Sequence, residues 1–349
     1  MQGSSVIKPL VGRDRDVGSD ASVIRPVLTS ERGIAFTQAL LPLYSQIDNY
    51  SMTACTIDEA VRRLVSVGAD MDQIGGVDNF CWPSIQYHPV NNPDGHLKAA
   101  KLVRSCLALK EMCLAYGIPL LSGKDSMYVD GHLPGKYGET HKVSALETLQ
   151  FSASSIVSDI TRCVTMDPKA SGDLVYVLGA TRNELGGSEY YDHFGYVGLN
   201  VPLVFPDQFL PMYQALSMAI ENRLVASCHG IYSGGLGIHL ALMAMAGNLG
   251  MTINLSLLPI EEPMRDDQAL FSESAGRFIV TVSADNEQAF ESLMLKAEAQ
   301  SSPIDFACIG KTTEDVGFFE IRGQSKDTLL RLSIAELKTA WKKPFGALI

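Results

Sequence analysis

The sequence has no long apolar run and no cluster of basic residues, and these absences exclude several classes of protein. No stretch approaches the roughly 20 consecutive apolar residues that a bilayer-spanning helix needs. Lys and Arg total 28 against 39 Asp and Glu, which gives a formal net charge of −11. An acidic chain of this kind is a poor candidate for binding nucleic acid. A phosphate-bearing ligand would have to be held locally, by backbone N–H groups, a metal ion or a few cations.

The cysteines lack the spacing that metal sites and disulfide frameworks need. Their odd number and scattered positions fit reduced thiols in a cytosolic protein, and the lack of a C-x-x-C pair argues against zinc. The seven are Cys55, Cys81, Cys106, Cys113, Cys163, Cys228 and Cys308. The stretch 1–16 is polar and charged, which argues against a signal peptide. We therefore predict a cytoplasmic protein.

The length and the order of predicted elements indicate two mixed domains. A chain of 349 residues with 46% hydrophobic content is long enough for two packed cores. The turn-rich stretch 167–173 separates two differently patterned regions, so we predict one domain over 1–166 and another over 167–349. Strands and helices alternate without a strict βαβ order, which favours an α/β fold of the α+β kind.

Hydrophobic periodicity predicts two helices in the first domain. Thr56 followed by Glu59 matches a capping box and starts a helix predicted over 56–67. Glu59 is also spaced for an i,i+4 ion pair with Arg63. The second helix is predicted over 97–116. Its buried face is predicted to contain Leu102, Cys106, Leu109 and Cys113.

The other predicted elements are short. In the first domain the strands are predicted over 118–122 and 151–158. In the second domain the strands are predicted over 173–178, 225–228, 251–257, 277–282, 306–308 and 318–321, and the helices over 211–221, 236–245 and 286–298.

The motif GGVDNFCWP, residues 75–83, combines a glycine pair with a carboxylate and an amide. The glycines allow close backbone approach, and Asp78 and Asn79 then stand at a predicted strand end. This arrangement suits contact with a ligand. It equally suits an Asx-turn that closes a strand, and the residues alone leave both interpretations open.

A second motif follows the strand predicted over 118–122 and reads Gly123-Lys124-Asp125-Ser126. Such a loop suits phosphate, because glycine exposes N–H groups and lysine adds positive charge. It is not a P-loop, since the pattern G-x-x-x-x-G-K-[ST] is absent. A polar surface turn explains the same residues equally well.

Three further groups have simple structural explanations. The loop 228–236 precedes a predicted helix and could bind an anion, but a tight strand-to-helix turn is favoured, with His229 as a structural histidine. Glu273 and Arg277 could form a local pair. Asp20 and Glu59 are candidate Mg²⁺ ligands, although Asp20 could cap a turn and Glu59 is explained by the capping box and by its pairing with Arg63.

Taken together, the motifs resemble a known family. In order they are GSDASVIRP, IDEAVRRLVSVGAD, GGVDNFCWP, LSGKDSMY, GDLVYVLGATRNELGGSEYY, SGGL and LFSESAGRF. They resemble the second half of phosphoribosylformylglycinamidine synthase, a member of the aminoimidazole ribonucleotide synthetase superfamily. The likeness covers nearly the whole chain.

This resemblance implies a fold and a reaction. The N-terminal domain of each half pairs with its counterpart into a β-barrel-like core, and an α+β C-terminal domain flanks it. The implied enzyme is an ATP-dependent carbon–nitrogen ligase of purine biosynthesis, with ATP and Mg²⁺ as cofactors. ATP phosphorylates the formamide oxygen of formylglycinamide ribonucleotide, and ammonia from a glutaminase then displaces phosphate. The protein aligns the reactants and neutralises charge.

The resemblance also assigns roles near the active site. It implies that Asp78 and Gly123 contact ATP and that Ser126 contacts the substrate. Lys124 stands where some members have an asparagine metal ligand, so Lys124 and Asp125 are expected beside phosphate or metal. No catalytic residue is expected in this chain, because the family's histidine and main Mg²⁺ carboxylates belong to the first half.

An auxiliary Mg²⁺–nucleotide site of the large family members is implied as well, but in altered form. Its two carboxylates match Asp20 and Glu59. Its asparagine and aspartate ligands correspond to Arg63 and Gly230, and its nucleotide-contacting serine corresponds to Tyr232. We therefore predict that this site does not bind Mg·ADP in the usual way.

The expected partners are an N-terminal synthetase half, fused or separate, a glutaminase and formylglycinamide ribonucleotide, without nucleic acid or membrane. The chain starts about where the second half of the family starts, so it is expected to be a fragment or a split subunit. Two alternatives stay open. One is a degenerate, non-catalytic scaffold half, and the other is a homodimeric superfamily kinase or synthetase acting on another substrate.

Overall fold

The computed structural model describes residues 2–299, 303–314 and 317–345, and these form two large sheets that share no strand. The strands are β1 Ser5–Ile7, β2 Leu10–Val11, β3 Val17–Gly18, β4 Ser22–Ile24, β5 Gly33–Leu40, β6 Gly75–Trp82, β7 Leu120–Met127, β8 Asp130–Pro134, β9 Thr140–Ser144, β10 Thr148–Val157, β11 Leu174–Leu178, β12 Ser227–Gly230, β13 Gly250–Asn254, β14 Phe278–Val282, β15 Phe306–Thr313, β16 Phe318–Arg322 and β17 Thr328–Ser333. The helices are α1 Asn49–Val65, α2 Gly95–Ala115, α3 Glu189–His193, α4 Pro206–Glu221, α5 Gly235–Gly247, α6 Asp266–Phe271, α7 Glu287–Glu298 and α8 Ile334–Lys342.

The first sheet has the order β1-β4-β5-β10-β6-β7, and α2 connects its parallel pair β6 and β7. Burial alternates along β6 and β10, as expected when one face of a sheet packs against helices and the other does not. The packed face lies against α1. The other face is open, and it exposes Phe36 and Leu40.

Helix α1 is longer than its sequence signals predicted, and the predicted cap is wrong. The side chain of Asp48 accepts a hydrogen bond from the Ser51 N–H at 2.9 Å, which starts the helix at Asn49. Thr56 lies inside the helix, where its hydroxyl donates to the Met52 carbonyl at 2.8 Å. A Ser/Thr hydroxyl within a helix commonly satisfies itself on the preceding turn, so the S/T-x-x-E pattern occurs without a cap.

Helix α2 has the predicted extent, but its predicted buried face is only partly right. Leu109 and Cys113 are buried, whereas Cys106 is exposed. The helix is apolar on both sides: Val103 and Leu114 lie on the outer face and are exposed. Periodicity alone could not say which of two apolar faces packs inward.

The GKDS motif is a strand and not the predicted loop. Strand β7 runs through to Met127 and pairs in parallel with β6 along its length, with Val77 opposite Ser122 and Trp82 opposite Met127. Likewise, Asp78 lies in the middle of β6 and not at its end. Polar and glycine residues are ordinarily depleted in strands, and here backbone pairing overrides that preference. Strand β7 forms an edge of the sheet.

The second sheet has the order β12-β14-β11-β15-β13-β16-β17 and contains one parallel pair, β13 and β16. Every strand predicted in this region is present, with bounds shifted by a few residues, and so are the three predicted helices. Strand β17 and the helices α3, α6 and α8 were not predicted. The division at residues 166 and 167 stays a prediction. Among the helices of the described ranges, none combines the length and apolar character that a bilayer crossing requires.

A buried ionic network joins helices of the two regions. Asp58 on α1 is fully buried and accepts hydrogen bonds from the Tyr116 hydroxyl at 2.7 Å and the Tyr213 hydroxyl at 2.6 Å. Arg62 Nε donates to the same carboxylate at 2.7 Å, and Arg62 also donates to the Ile231 carbonyl. A buried charge is tolerated only when it is paired and hydrogen-bonded, so this network fixes α1 against the second sheet.

Candidate functional site

The strand-pair site consists of Asp78 on β6 and Gly123 to Ser126 on β7. Asp78 lies directly opposite Gly123 in the parallel register. A Cβ atom added at Gly123 would lie 2.8 Å from Oδ1 of Asp78, closer than real Cβ contacts come. The position of the Asp78 carboxylate therefore requires a residue without a side chain at position 123. Two motifs that lie 45 residues apart in the sequence thus form one surface.

Strand geometry divides this site between two faces of the sheet. Successive side chains alternate, so Gly123 and Asp125 share the face of Asp78, and Lys124 and Ser126 share the opposite face. The Asp78 face points towards α2, because Trp82 Nε1 donates to the Lys98 carbonyl at 3.0 Å. The two motifs are therefore neighbours in the strand pair, but the four side chains of Asp78, Lys124, Asp125 and Ser126 are divided between its two faces.

Asp78 is a buried carboxylate with no countercharge. Its side chain is only 9% exposed, and burial raises its pKa, with the charge of Asp125 adding to the rise. No cation among the described residues lowers that pKa. Burial and the same two carboxylates also raise the pKa of the Cys106 thiol. A carboxylate in this state is an acceptor that a ligand N–H group can satisfy.

The opposite face of the strand pair carries a cation and a hydroxyl. Lys124 Nζ donates to the Ser126 hydroxyl at 2.9 Å, and both residues are exposed or partly exposed. Asn79, opposite Lys124 in the register, has a buried Oδ1 with no hydrogen-bond partner in the described part of the chain. These groups can bind an anionic, hydroxyl-bearing ligand on the open face of the sheet.

A second group, the Asp20 cluster, comprises Asp20, Glu59, Arg63, His229 and Tyr232. The Asp20 carboxylate accepts from His229 Nδ1 at 2.9 Å, from the Tyr232 hydroxyl at 2.6 Å and from the Gly230 N–H at 3.2 Å. Asp20 precedes β4, whereas its three donors belong to β12 and the loop after it. The cluster therefore connects the first sheet to the second.

Arg63 completes this cluster from α1. Its Nε donates to Glu59 at 2.9 Å, which confirms the predicted i,i+4 pair, and its guanidinium lies 4.2 Å from the centroid of the Tyr232 ring. A Cβ atom at Gly230 would lie 2.2 Å from the Tyr232 hydroxyl oxygen. Tyr232 thus fills the space beside Gly230, and the two residues depend on each other.

The charge of the buried Asp20 carboxylate is stabilised by neighbouring groups of the protein. Burial favours the neutral form of Asp20, but the charge and hydrogen bonds of His229 and the Tyr232 hydroxyl outweigh it and lower its pKa. Burial, followed by the charge of His229, lowers the pKa of His239, whose Nδ1 lies 2.8 Å from His229 Nε2. Across the described ranges, no group of three or more His, Cys, Asp or Glu is arranged to hold a metal ion.

Glu273 and Arg277 do not pair, which corrects the interpretation of that motif. Glu273 accepts from the Tyr44 hydroxyl at 2.6 Å and from the N–H groups of Gly234 and Glu189 at 2.7 and 2.9 Å. Burial raises the pKa of Glu273 to about 7. Arg277 is fully buried and donates to the Ser274 and Ser272 carbonyls and to the Thr181 hydroxyl at 2.9, 2.6 and 2.8 Å. Sequence analysis missed these contacts because Tyr44 and Glu273 lie 229 residues apart.

Comparison with known proteins identifies similar chains. Residues 170–321 match the family model described as AIR synthase related protein, C-terminal domain. Two curated relatives are named phosphoribosylformylglycinamidine synthase subunit PurL. The one from Thermococcus sibiricus is 31% identical over 321 residues, 92% of this chain and 39% of its own length, and the one from Methanothrix thermoacetophila is 30% identical over 348 residues, 98% of this chain and 41% of its own length.

Solved structures agree with the fold. A structure described as T. maritima PurL complexed with FGAR has a TM-score of 0.68 at 16% identity, covering 94% of this chain and 49% of that chain. The predicted AIR synthetase-like α/β fold is thereby confirmed. The chain spans about two fifths of the length of these curated relatives.

Proposed function

We propose that this chain, which belongs to the PurL type of the AIR synthase superfamily, forms the C-terminal half of a phosphoribosylformylglycinamidine synthase. Together with an N-terminal half it would convert formylglycinamide ribonucleotide, ammonia and ATP into formylglycinamidine ribonucleotide, ADP and phosphate. The naming of the curated relatives supports this role, as do T. maritima PurL structures described with FGAR and with ATP. The observation that carries it is the pairing of Asp78 with Gly123.

The Asp78 face of the strand-pair site is the proposed ATP contact. Its buried carboxylate has an unused acceptor capacity that the exocyclic amine of adenine can satisfy. Gly123 has no side chain, and the Asp78 carboxylate lies over the space that a Cβ atom would take, so a ligand at this point meets that carboxylate. Asp125 is exposed on the same face, where a carboxylate suits a nucleotide-bound Mg²⁺. Mg²⁺ bound with the nucleotide would neutralise phosphate charge during transfer.

The opposite face of the strand pair is the proposed substrate contact. Ser126 would donate to or accept from the ribonucleotide, and Lys124 would place a positive charge beside phosphate. An ammonium group repels a metal ion, so we assign no metal ligation to Lys124. The role of the chain on both faces is to bind and orient, because no residue in it is proposed as a catalytic acid or base.

The open face of the first sheet supports the need for an N-terminal half. Phe36 and Leu40 are exposed on that face, and Leu121 is 65% exposed on the edge strand β7. An open sheet face with exposed apolar side chains and an unpaired strand edge are both typical of surfaces that another chain covers. We propose that the N-terminal half covers it, that the chain alone is inactive, and that a glutaminase supplies ammonia. A cytoplasmic location follows from this role.

A non-catalytic scaffold half is the second candidate, because the Asp20 cluster is closed by the protein's own side chains. In the first candidate the strand-pair site binds ATP that is hydrolysed during the reaction, and in the scaffold candidate it does not. The homodimeric superfamily enzyme would instead hydrolyse ATP without an added half.

The test is reconstitution of the purified chain with the first half from the same organism. The measured quantity is formylglycinamide ribonucleotide-dependent ATP hydrolysis and amidine formation. We expect activity only in the mixture, reduced at least about tenfold by Asp78→Asn and unchanged by Asp72→Asn, a matched exposed carboxylate. An active mixture in which Asp78→Asn has no effect would reject the proposed site, and activity of the chain alone would favour the homodimer.

A further inference from the structure

The Asp20 cluster connects the two sheets through hydrogen bonds to the Asp20 carboxylate, and we call this connection between the sheets the joint. All the donors to Asp20 come from the far side of the joint: the imidazole of His229, the N–H of Gly230 and the hydroxyl of Tyr232. Asp20 is only 3% exposed, so water cannot replace them. A fully buried carboxylate requires such donors or a cation, because its desolvation is otherwise uncompensated.

Arg63 supplies the positive charge in this joint. Its guanidinium contacts the Glu59 carboxylate at 2.8 Å and lies against the Tyr232 ring. Burial lowers the pKa of Arg63, but the charges of Glu59, Tyr232 and Asp20 outweigh this effect and keep the pKa above its ordinary value. Arg63 therefore interacts favourably with both carboxylates that the resemblance assigns to an auxiliary Mg²⁺–nucleotide site.

The residues present do not fit a metal–nucleotide at this position. A Mg²⁺ ion needs oxygen lone pairs, but both oxygens of Asp20 face hydrogen-bond donors. Two of the four expected ligands are Arg63 and Gly230, and neither offers a side-chain oxygen. The Tyr232 side chain occupies the space that an aspartate at position 230 would need. The implied ligand and the observed side chains therefore compete for the same volume.

We infer that Arg63, held between Glu59 and the Tyr232 ring, replaces the divalent cation at this position, so that protein groups alone close the joint and the joint takes no Mg²⁺–nucleotide. This inference deepens the proposed function, on which it rests only for the choice of ligand. It makes the docking of the two sheets independent of metal and nucleotide.

The first test is thermal unfolding with and without Mg·ADP in the Asp78→Asn background, which removes the proposed ATP contact from the readout. The Asp78→Asn chain is expected to show no ligand-dependent shift. The combined change Arg63→Asn, Gly230→Asp and Tyr232→Ser in that background restores the family's ligand types, and a saturable rise of about 3 °C or more with Mg·ADP is expected. A folded combined variant without that rise would count against the inference.

A second test remains valid if the combined variant does not fold. Arg63→Ala leaves Glu59 and Asp20 without the guanidinium, so the variant should unfold at a lower temperature, and 10 mM MgCl₂ should not restore the loss because donors still face both Asp20 oxygens. Arg63→Lys, the matched control, keeps the positive charge and should unfold closer to the natural chain. A Mg·ADP-dependent stabilisation of the natural chain that survives Asp78→Asn and disappears in Asp20→Asn would overturn the inference. Its disappearance in Asp78→Asn alone would instead support the proposed ATP site.

Discussion

Asp20 and Asp78 are both buried carboxylates beside or within the first sheet, and their surroundings differ in the hydrogen-bonding capacity that they leave for a ligand. Asp20 accepts from His229, Gly230 and Tyr232, and its pKa is lowered chiefly by His229, then by the Tyr232 hydroxyl and the charge of Arg63. Asp78 faces a glycine and another carboxylate, and its pKa is raised. The comparison teaches that burial alone does not identify a binding site. A buried carboxylate without a side-chain donor or a countercharge among the described residues is the better indicator.

The largest expected effect distinguishes the two carboxylates by stability. Asp20→Asn removes one charge from a buried network and places an amide against its donors, so it should lower the free energy of unfolding by about 3 kcal/mol or more. Asp78→Asn removes an uncompensated charge and should change stability by no more than about 0.5 kcal/mol, or raise it. Chemical denaturation of both variants measures the difference. Equal losses of unfolding free energy in the two variants would contradict the proposed difference between Asp20 and Asp78.

The next effect concerns the close approach at Gly123. Gly123→Ala puts a Cβ atom against the Asp78 carboxylate, which should cost about 1–3 kcal/mol in stability. It should also weaken nucleotide binding to the reconstituted enzyme at least about tenfold. Gly131→Ala is the matched control, because no atom lies within 4 Å of the Cβ position there. Isothermal titration with an ATP analogue tests this, and equal affinities for the two variants would contradict the proposed contact.

A smaller effect separates the two roles of Tyr232. Tyr232→Phe keeps the ring beside Arg63 but removes the hydroxyl that donates to Asp20. The expected loss is about 1.5–3 kcal/mol, as for a buried hydrogen bond to a charged acceptor. Tyr196→Phe, an exposed hydroxyl elsewhere, should be neutral in the same denaturation assay. A neutral Tyr232→Phe would mean that the hydroxyl contributes nothing to the joint.

The smallest effect is a difference in pH dependence. The raised pKa of Asp78 contributes stability that is present below its ordinary value of 3.8 and is lost as the pH rises through the folded-state value. The lowered pKa of Asp20 contributes stability that is present above 3.8 and is lost as the pH falls. As the pH rises from 3 to 7, the free energy of unfolding of Asp78→Asn should therefore increase relative to that of the natural chain. That of Asp20→Asn should decrease relative to the natural chain. Denaturation across that range tests both signs.

The sequence predicted most elements, and its errors have physical causes. The strands and helices predicted over 173–321 follow from short-range periodicity and are present, whereas α3, α6, α8 and β17 were missed. The prediction of a loop at GKDS was wrong, because parallel pairing with β6 imposes an extended backbone on residues of low strand propensity. The prediction of a helix cap at Thr56 was wrong, because the Thr56 hydroxyl donates a hydrogen bond to the Met52 carbonyl inside the helix.

The candidate site was only partly accessible from the sequence. The motifs around Asp78 and Gly123 were identified, but their register was not, and the register is what places Lys124 and Asp78 on opposite faces. The change from aspartate to Gly230 and from serine to Tyr232 was visible as two separate departures from the family. The structure joins them, since the tyrosine fills the space above the glycine. Contacts across 200 residues, such as Asp20 with His229, have no local signal.

The most direct test of the account is the number of nucleotides bound at saturation by the chain reconstituted with its N-terminal half. We predict one Mg·ADP per pair of halves, lost in Asp78→Asn and kept in Tyr232→Phe. Two bound nucleotides, or one that is kept in Asp78→Asn, would contradict the contrast between an open Asp78 and a closed Asp20.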